Sequence, residues 1–189
     1  MLPVLRALPY FEDVTELAVA GRIVGRALPF QIVVWVAVTP VEEFEPPDFD
    51  ARFPAILDTG HNSRFAISPT HLRAWAKLDW KTLPLEGGKD QSYLTIPVPT
   101  RRANLWLYPN QYGWRDFLDP LRRPVPLEIN EGIAIFGDGE AVGPDPRTSE
   151  LRSPRLPILG LRALTEARVE LRIDAVRSAV WMELPEDIE

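Results

Sequence analysis

Cysteine is absent from the 189 residues of this chain, which rules out a disulfide scaffold, thiolate chemistry and Cys-built zinc sites. Histidine is scarce: only His61 and His71 occur, without the His-Glu-x-x-His spacing of a catalytic zinc site, so no metal and no cofactor is expected. Positive charge is in short supply, with 21 Lys and Arg against 27 Asp and Glu and a formal net charge of -6. A surface for phosphate backbones concentrates Lys and Arg, and no nucleic-acid partner is expected. The apolar stretch Ala27 to Val38 is broken by Pro29 and Gln31 and falls short of the roughly 20 residues that cross a bilayer as a helix. Met1 to Asp13 lacks the basic, long-apolar, small-residue order of a signal peptide, so no membrane partner and a cytoplasmic location are the expectations. Gly137-Asp-Gly139 lacks the Lys-Ser/Thr that completes a phosphate cradle, and there is no Gly-x-Ser-x-Gly elbow. No internal repeat stands out.

What is present is an ordinary globular composition, 46% apolar and 25% charged, at a length that suits one domain or one domain with a substantial elaboration. The 20 prolines are scattered between apolar runs, where they punctuate strands and loops. Strands are expected at Gly21 to Ile23, Gln31 to Val38, Phe53 to Leu57 and Phe65 to Ile67, the second of them rich in Ile, Val and Trp without a helical polar face. Ser68 followed by Pro69 reads as a helix entry, giving a helix from Pro69 to about Leu78 with Leu72, Trp75, Ala76 and Leu78 inward. Thr82 to Leu85 and Ser92 to Val98 read as strands around a turn at Glu86 to Gln91, followed by Asn104 to Tyr108, Pro126 to Ile129 and Gly132 to Phe136. A short helix is expected from Leu161 to about Ala167. Val169 to Asp174 then alternates with period two, which places Val169, Leu171 and Ile173 toward the core, and it pairs with Ala179 to Met182 as a hairpin.

The segment with most chemistry is Phe53-Pro-Ala-Ile-Leu-Asp58-Thr59-Gly60-His61-Asn62, an apolar strand that runs into an acidic turn. Two such turns facing each other would bring two Asp58 carboxylates together. Carboxylates about 3 Å apart do not both ionise readily, and such a pair holds one proton over a useful pH range. One member then acts as base toward water while the other donates to a carbonyl oxygen. The chain carries the turn once, so the second carboxylate has to come from another molecule.

Ile56-Leu57-Asp58-Thr59-Gly60, then Phe65-Ala66-Ile67, then the helix with Leu72 and Leu78, and about a hundred residues later Ile158-Leu159-Gly160-Leu161 before a second helix, resemble the retropepsin-like aspartic proteases, in particular their small bacterial and archaeal members. The match runs from about Gln31 to Met182, with 83–156 only loosely patterned. The resemblance implies a mainly β, single-lobe, acid-protease-like closed barrel. One short helix would follow the active-site strand and another would lie near the C-terminus, with residues 1–30 as an N-terminal extension and 83–156 as an elaborated middle insertion. It implies a homodimer joined through the active-site loops that cleaves extended peptides. Asp58 would pair with its copy, the Thr59 hydroxyl would bond across the subunits, and Gly60 would permit the close approach. Ile158, Leu159 and Gly160 match the family's structural element.

His61 stands where retroviral members have Ala or Ser. It is either a loop-bonding residue or, with Asn62, part of the cleft rim, where a cation would favour ionised Asp58. A flap is sought in Thr82 to Val98 with its tip near Gly87 and Gly88, although an ordinary exterior hairpin has the same pattern. Trp106, Tyr108, Tyr112 and Trp114 are candidates either for substrate subsites or for packing of the insertion. The alternative to an enzyme is a peptide- or protein-binding module that keeps the lobe without catalysis.

Overall fold

The computed structural model describes residues 1–19, 21–61, 63–85, 91–93, 96–115, 118–127, 129, 131–138, 142, 146–150 and 155–185. The chain is mainly β. In order it forms β1 (Leu2–Pro9), β2 (Thr15–Val19), β3 (Arg22–Ala27), β4 (Ile32–Thr39), β5 (Phe53–Asp58), β6 (Phe65–Ile67) and a short helix α1 (Pro69–His71) that continues as a π-helical turn over Leu72–Ala76. There follow β7 (Gln91–Tyr93), β8 (Ile96–Val98), β9 (Thr100–Arg101), β10 (Asn104–Leu107), β11 (Val125–Leu127), β12 (Ile133–Ile135), β13 (Ile158–Gly160), α2 (Leu161–Glu166), β14 (Glu170–Asp174) and β15 (Ala179–Leu184).

An eight-stranded sheet ordered β11-β10-β4-β5-β13-β6-β12-β9 curls into half a barrel. β4 lies antiparallel between β5 and β10 and is apolar from Ile32 to Val38 because both of its faces are covered. On the inner face Val34, Val36, Phe53, Leu57, Phe65 and Leu105 share the main core, while Trp35, Ala37, Trp106 and Tyr108 pack on the reverse face. β13 enters between β5 and β6. It runs parallel to β5, with Leu159 beside Leu57 and Gly160 beside Asp58, and antiparallel to β6, with Leu159 beside Phe65.

The helix after β6 starts as the sequence suggests: Ser68 Oγ accepts the His71 amide at 3.1 Å, and Pro69 occupies the first turn, where its missing N–H costs nothing. It is shorter than expected, because Lys77 turns left-handed (φ 60°) and closes the π-turn onto the Leu72 carbonyl. Leu72 is fully buried, and Trp75, Ala76 and Leu78 pack partly against the main core.

β1 and β2 lie where periodicity gave no signal, whereas β3 extends the strand expected at Gly21 to Ile23. β1 pairs with β15, and Val4, Leu5 and Leu8 of the N-terminal extension sit in the main core; β2 and β3 form a separate ribbon. Thr82 to Leu85 forms no strand, contributing only a single bridge from Leu85 to Arg101. Ser92 to Val98, expected as one strand, instead folds back on itself as the β7–β8 hairpin. The β14–β15 hairpin is present in one-to-one register, but Ile173 is 49% exposed rather than core-facing. Val169 and Leu171 reach the core from this outer strand, and Ile173 lies past its margin, next to the hairpin turn.

Candidate active site

Asp58 is the last residue of β5. Phe53, Pro54, Ala55 and Leu57 before it are buried, with β4 on one side of the strand and β13 on the other, so the carboxylate is carried on a fixed stem. Asp58, Thr59 and Gly60 are all exposed. Asp58 Oδ1 accepts the Gly60 amide at 2.8 Å, and its backbone carbonyl accepts the His61 amide at 3.2 Å. This is an Asp-initiated turn in which the side chain substitutes for a backbone acceptor.

Gly160 lies directly behind that turn. Its amide donates to the Arg64 carbonyl at 2.9 Å, and a Cβ there would stand 1.9 Å from the Ser63 carbonyl oxygen and 2.8 Å from that of His61. Only a residue without a side chain lets β13 pass under the 61–64 loop. The Ile158-Leu159-Gly160 element is therefore in contact with the segment that carries the carboxylate, although a hundred residues separate them in sequence.

The loop is held from its other side by a buried cation that sequence reasoning missed. The Arg64 side chain is 3% exposed; its Nε and Nη2 both donate to the Glu166 carboxylate on α2, and its Nη1 donates to Glu131 Oε2 at 2.5 Å. Arg162 closes the cluster, bonding Glu131 at 3.2 Å and standing 3.5 Å from Glu166. Burial opposes the charge of Arg64, but the hydrogen bonds and charges of Glu166 and Glu131 more than offset it and hold the guanidinium above its ordinary value. Loss of Glu166 would leave the buried guanidinium held by one carboxylate, that of Glu131, in place of two. No local signal marks Arg64, since its partners lie 67 and 102 positions away.

His61 is half-buried, with its ring 6.2 Å from that of Phe136. Burial pushes its imidazole below the usual value, against the pull of the Asp58 charge. The ring is thus neutral at pH 7 rather than the cation that would favour ionised Asp58. His71 stacks on Trp75 at 4.2 Å and is likewise pushed down by burial, against the pull of Asp138. Asn62, Gly87 and Gly88 lie outside the described residues.

Trp106 and Tyr108 are buried on the reverse face of the sheet, where Trp106 Nε1 donates to Thr39 Oγ1 at 3.0 Å and the Tyr108 hydroxyl donates to the Asp48 carbonyl at 3.0 Å. They pack the insertion and line no subsite beside Asp58. Tyr112 and Trp114 are exposed on the loop after β10. Among the described residues no group of three or more His, Asp or Glu stands close enough to hold a metal ion, and no helix is long and apolar enough to cross a membrane.

Two concavities lie elsewhere. One of about 450 Å³ is lined by Val41, Phe44, Asn104 and Trp106, and one of about 480 Å³ by Pro47, Tyr108 and Arg122; Asp58 lines neither. In the single chain the Asp58 carboxylate is exposed, and one such group does not provide an acid and a base at once. No family model, no curated protein and no solved structure matches this chain.

Proposed function

We propose that the chain is one subunit of a homodimeric aspartic endopeptidase, with an acid-protease-like lobe in each copy. The observation that carries this reading is the passage of Ile158–Gly160 between the two strands that flank the Asp58–Gly60 turn, with Gly160 against the loop itself. That placement supports the resemblance at the two elements, far apart in sequence, on which it rests. The β7–β8 hairpin, in which Tyr93 pairs with Ile96, offers a flap within 91–98 in place of one formed by Thr82 to Leu85 with its tip near Gly87 and Gly88. The exposure of Asp58, Thr59 and Gly60 supports their use against a second copy.

In the dimer the two Asp58 carboxylates share one proton. The ionised one takes a proton from water as the water oxygen attacks the scissile carbonyl carbon, and the protonated one donates to the carbonyl oxygen. The tetrahedral species then collapses with cleavage of the C–N bond, and a proton passes to the leaving nitrogen. Each well-placed acid or base contributes typically about 10²- to 10⁴-fold.

The test compares wild type with Asp58→Asn on unstructured protein and peptide substrates from acidic to neutral pH, recording sedimentation in parallel. Expected is cleavage by the wild type that falls at least about a hundred-fold in the variant. Equal cleavage by the two proteins removes the catalytic role. Peptide binding by the wild type without any hydrolysis makes the lobe a binding module, and activity in a strictly monomeric protein removes the dimer mechanism.

A further inference from the structure

The two edges of the three-stranded sheet β1-β15-β14 are built differently. The β1 edge is blunted: its pairing with β15 slips between Pro3 and Leu5 and again between Leu5 and Leu8, it carries Pro3 and Pro9, and Ala7 is left-handed at φ 48°. Bulges and prolines of this kind keep an edge from acting as a template. The β14 edge has none of them. Glu170 to Asp174 pair with Glu183 to Ala179 without a slip, no proline interrupts the strand, and among the described residues no further strand lies on its outer side.

We infer that β14 is the docking edge for a second copy of this chain, paired antiparallel about Leu171 so that two three-stranded sheets merge into one of six. The inference deepens the reading above by naming where the second subunit docks, although its test needs no catalysis.

Self-complementarity selects both the partner and the register. With Leu171 on the two-fold axis, Glu170 faces the partner's Arg172, and Ile173 faces the partner's Val169. Charge meets opposite charge, and apolar meets apolar. An axis one residue later sets Arg172 against the partner's Arg172 and Glu170 against the partner's Asp174. An axis one residue earlier sets Glu170 against the partner's Glu170. An axis between residues opposes charged and apolar side chains. Like charges directly opposed destabilise a strand pair, so the Leu171 register is the one that the sequence favours.

Two features of the single chain are explained by such a partner. Ile173 is 49% exposed on a strand whose other apolar residues reach the core, and the partner's Val169 would cover it. Glu170 stands opposite Glu183 across the β14–β15 ladder, a like-charge pair within the chain. The partner's Arg172, on the open side of Glu170, supplies the missing cation.

The test is sedimentation of the full chain at low salt. Glu170→Arg sets Arg against the partner's Arg172, and Arg172→Glu sets Glu against the partner's Glu170; each reversal occurs twice by symmetry. Each is expected to raise the dimer dissociation constant about ten-fold or more, and the double swap is expected to restore it to within about three-fold. Glu170→Arg also relieves the contact with Glu183, so lost dimer in that variant does not come from lost folding.

Because the chain has no cysteine, Leu171→Cys gives an independent readout: oxidation should cross-link it across the axis. Cys in place of the more exposed Ile173 should stay unlinked, because the two copies would lie about 13 Å apart along the paired strands. A wild type that stays monomeric at every concentration, a dimer indifferent to both reversals, or preferential cross-linking at position 173 overturns the inference. Asp58→Asn measured alongside should dimerise normally. A β14 dimer without proteolysis then refutes the catalytic reading alone.

Discussion

Gly160→Ala should damage this fold far more than the loss of one hydrogen atom suggests. The added methyl would stand 1.9 Å from the Ser63 carbonyl oxygen and 2.8 Å from that of His61, and both obstacles are backbone, which has no rotamer to yield. Either β13 withdraws from β5 and β6, or the 61–64 loop lifts. Overpacking of this kind costs about 1–3 kcal/mol. Moving β13 also endangers the 2.9 Å bond from the Gly160 amide to the Arg64 carbonyl, worth about 1 kcal/mol more. The sum is about 2–4 kcal/mol, or a fall in melting temperature of roughly 10 °C for a chain of this size. Urea unfolding followed by tryptophan fluorescence measures it, with the midpoint lowered and the slope unchanged. A control is Gly25→Ala, whose new methyl would meet the Leu156 side chain at 2.7 Å; that group can rotate away, so the cost should be smaller. A Gly160→Ala midpoint within about 0.5 kcal/mol of wild type would show that the loop is not pinned by β13.

Gly60→Ala should separate fold from function: its methyl would meet only Asp58 Oδ1 at 3.3 Å, so stability should change by less than about 1 kcal/mol, while proteolysis should be lost if the loops approach across the axis. Wild-type cleavage by this variant would refute that close approach. The two histidines predict a pH dependence of stability. Burial lowers His61 and His71 in the folded chain, against the opposing charges of Asp58 and Asp138, so the unfolded chain binds protons first as pH falls. Stability is then full above the ordinary value of 6.5 and is lost as pH drops from there toward the lowered folded values. The slope is at most about 1.4 kcal/mol per pH unit for each histidine. The double variant His61→Gln/His71→Gln should flatten the urea midpoint over that window, and an unchanged slope would refute the assignment.

The elements read correctly from sequence are those whose signal is local. β4 to β6, the Ser68–Pro69 helix start and the β14–β15 hairpin follow from apolar runs, a cap and clean alternation. β1 escaped because its partner is the far end of the chain and its inward residues, Val4, Leu5 and Leu8, follow two pairing slips rather than a period of two. The β7–β8 hairpin was missed because Ser92 to Val98 carries strand residues throughout and nothing local marks the fold-back. At the candidate site, Asp58 was legible from its turn, whereas the Arg64 cluster gathers side chains from a loop, a turn and a helix that only the tertiary fold brings together. Ile173 shows the reverse case: its alternation was legible, but it lies past the margin of the core, next to the hairpin turn.

The candidate site and the candidate docking edge are linked by one continuous stretch, β13 to β14. β13 leads into α2 without an intervening loop, and α2 reaches β14 through a short turn in which the Val169 amide bonds the Leu164 carbonyl at 2.8 Å. One end of that stretch lies under the Asp58 loop through Gly160, and its middle grips the same loop through Glu166 and Arg64. A displacement of β14 cannot be absorbed by a flexible joint before it reaches α2, whose Ala163 and Leu164 are packed into the main core. Docking of a second copy at β14 would therefore be transmitted to the position of Asp58 by close-packed contacts rather than through a linker. The carboxylate pair proposed above would need such a connection, because the spacing at which two acids share a proton is too short to be left to loops alone.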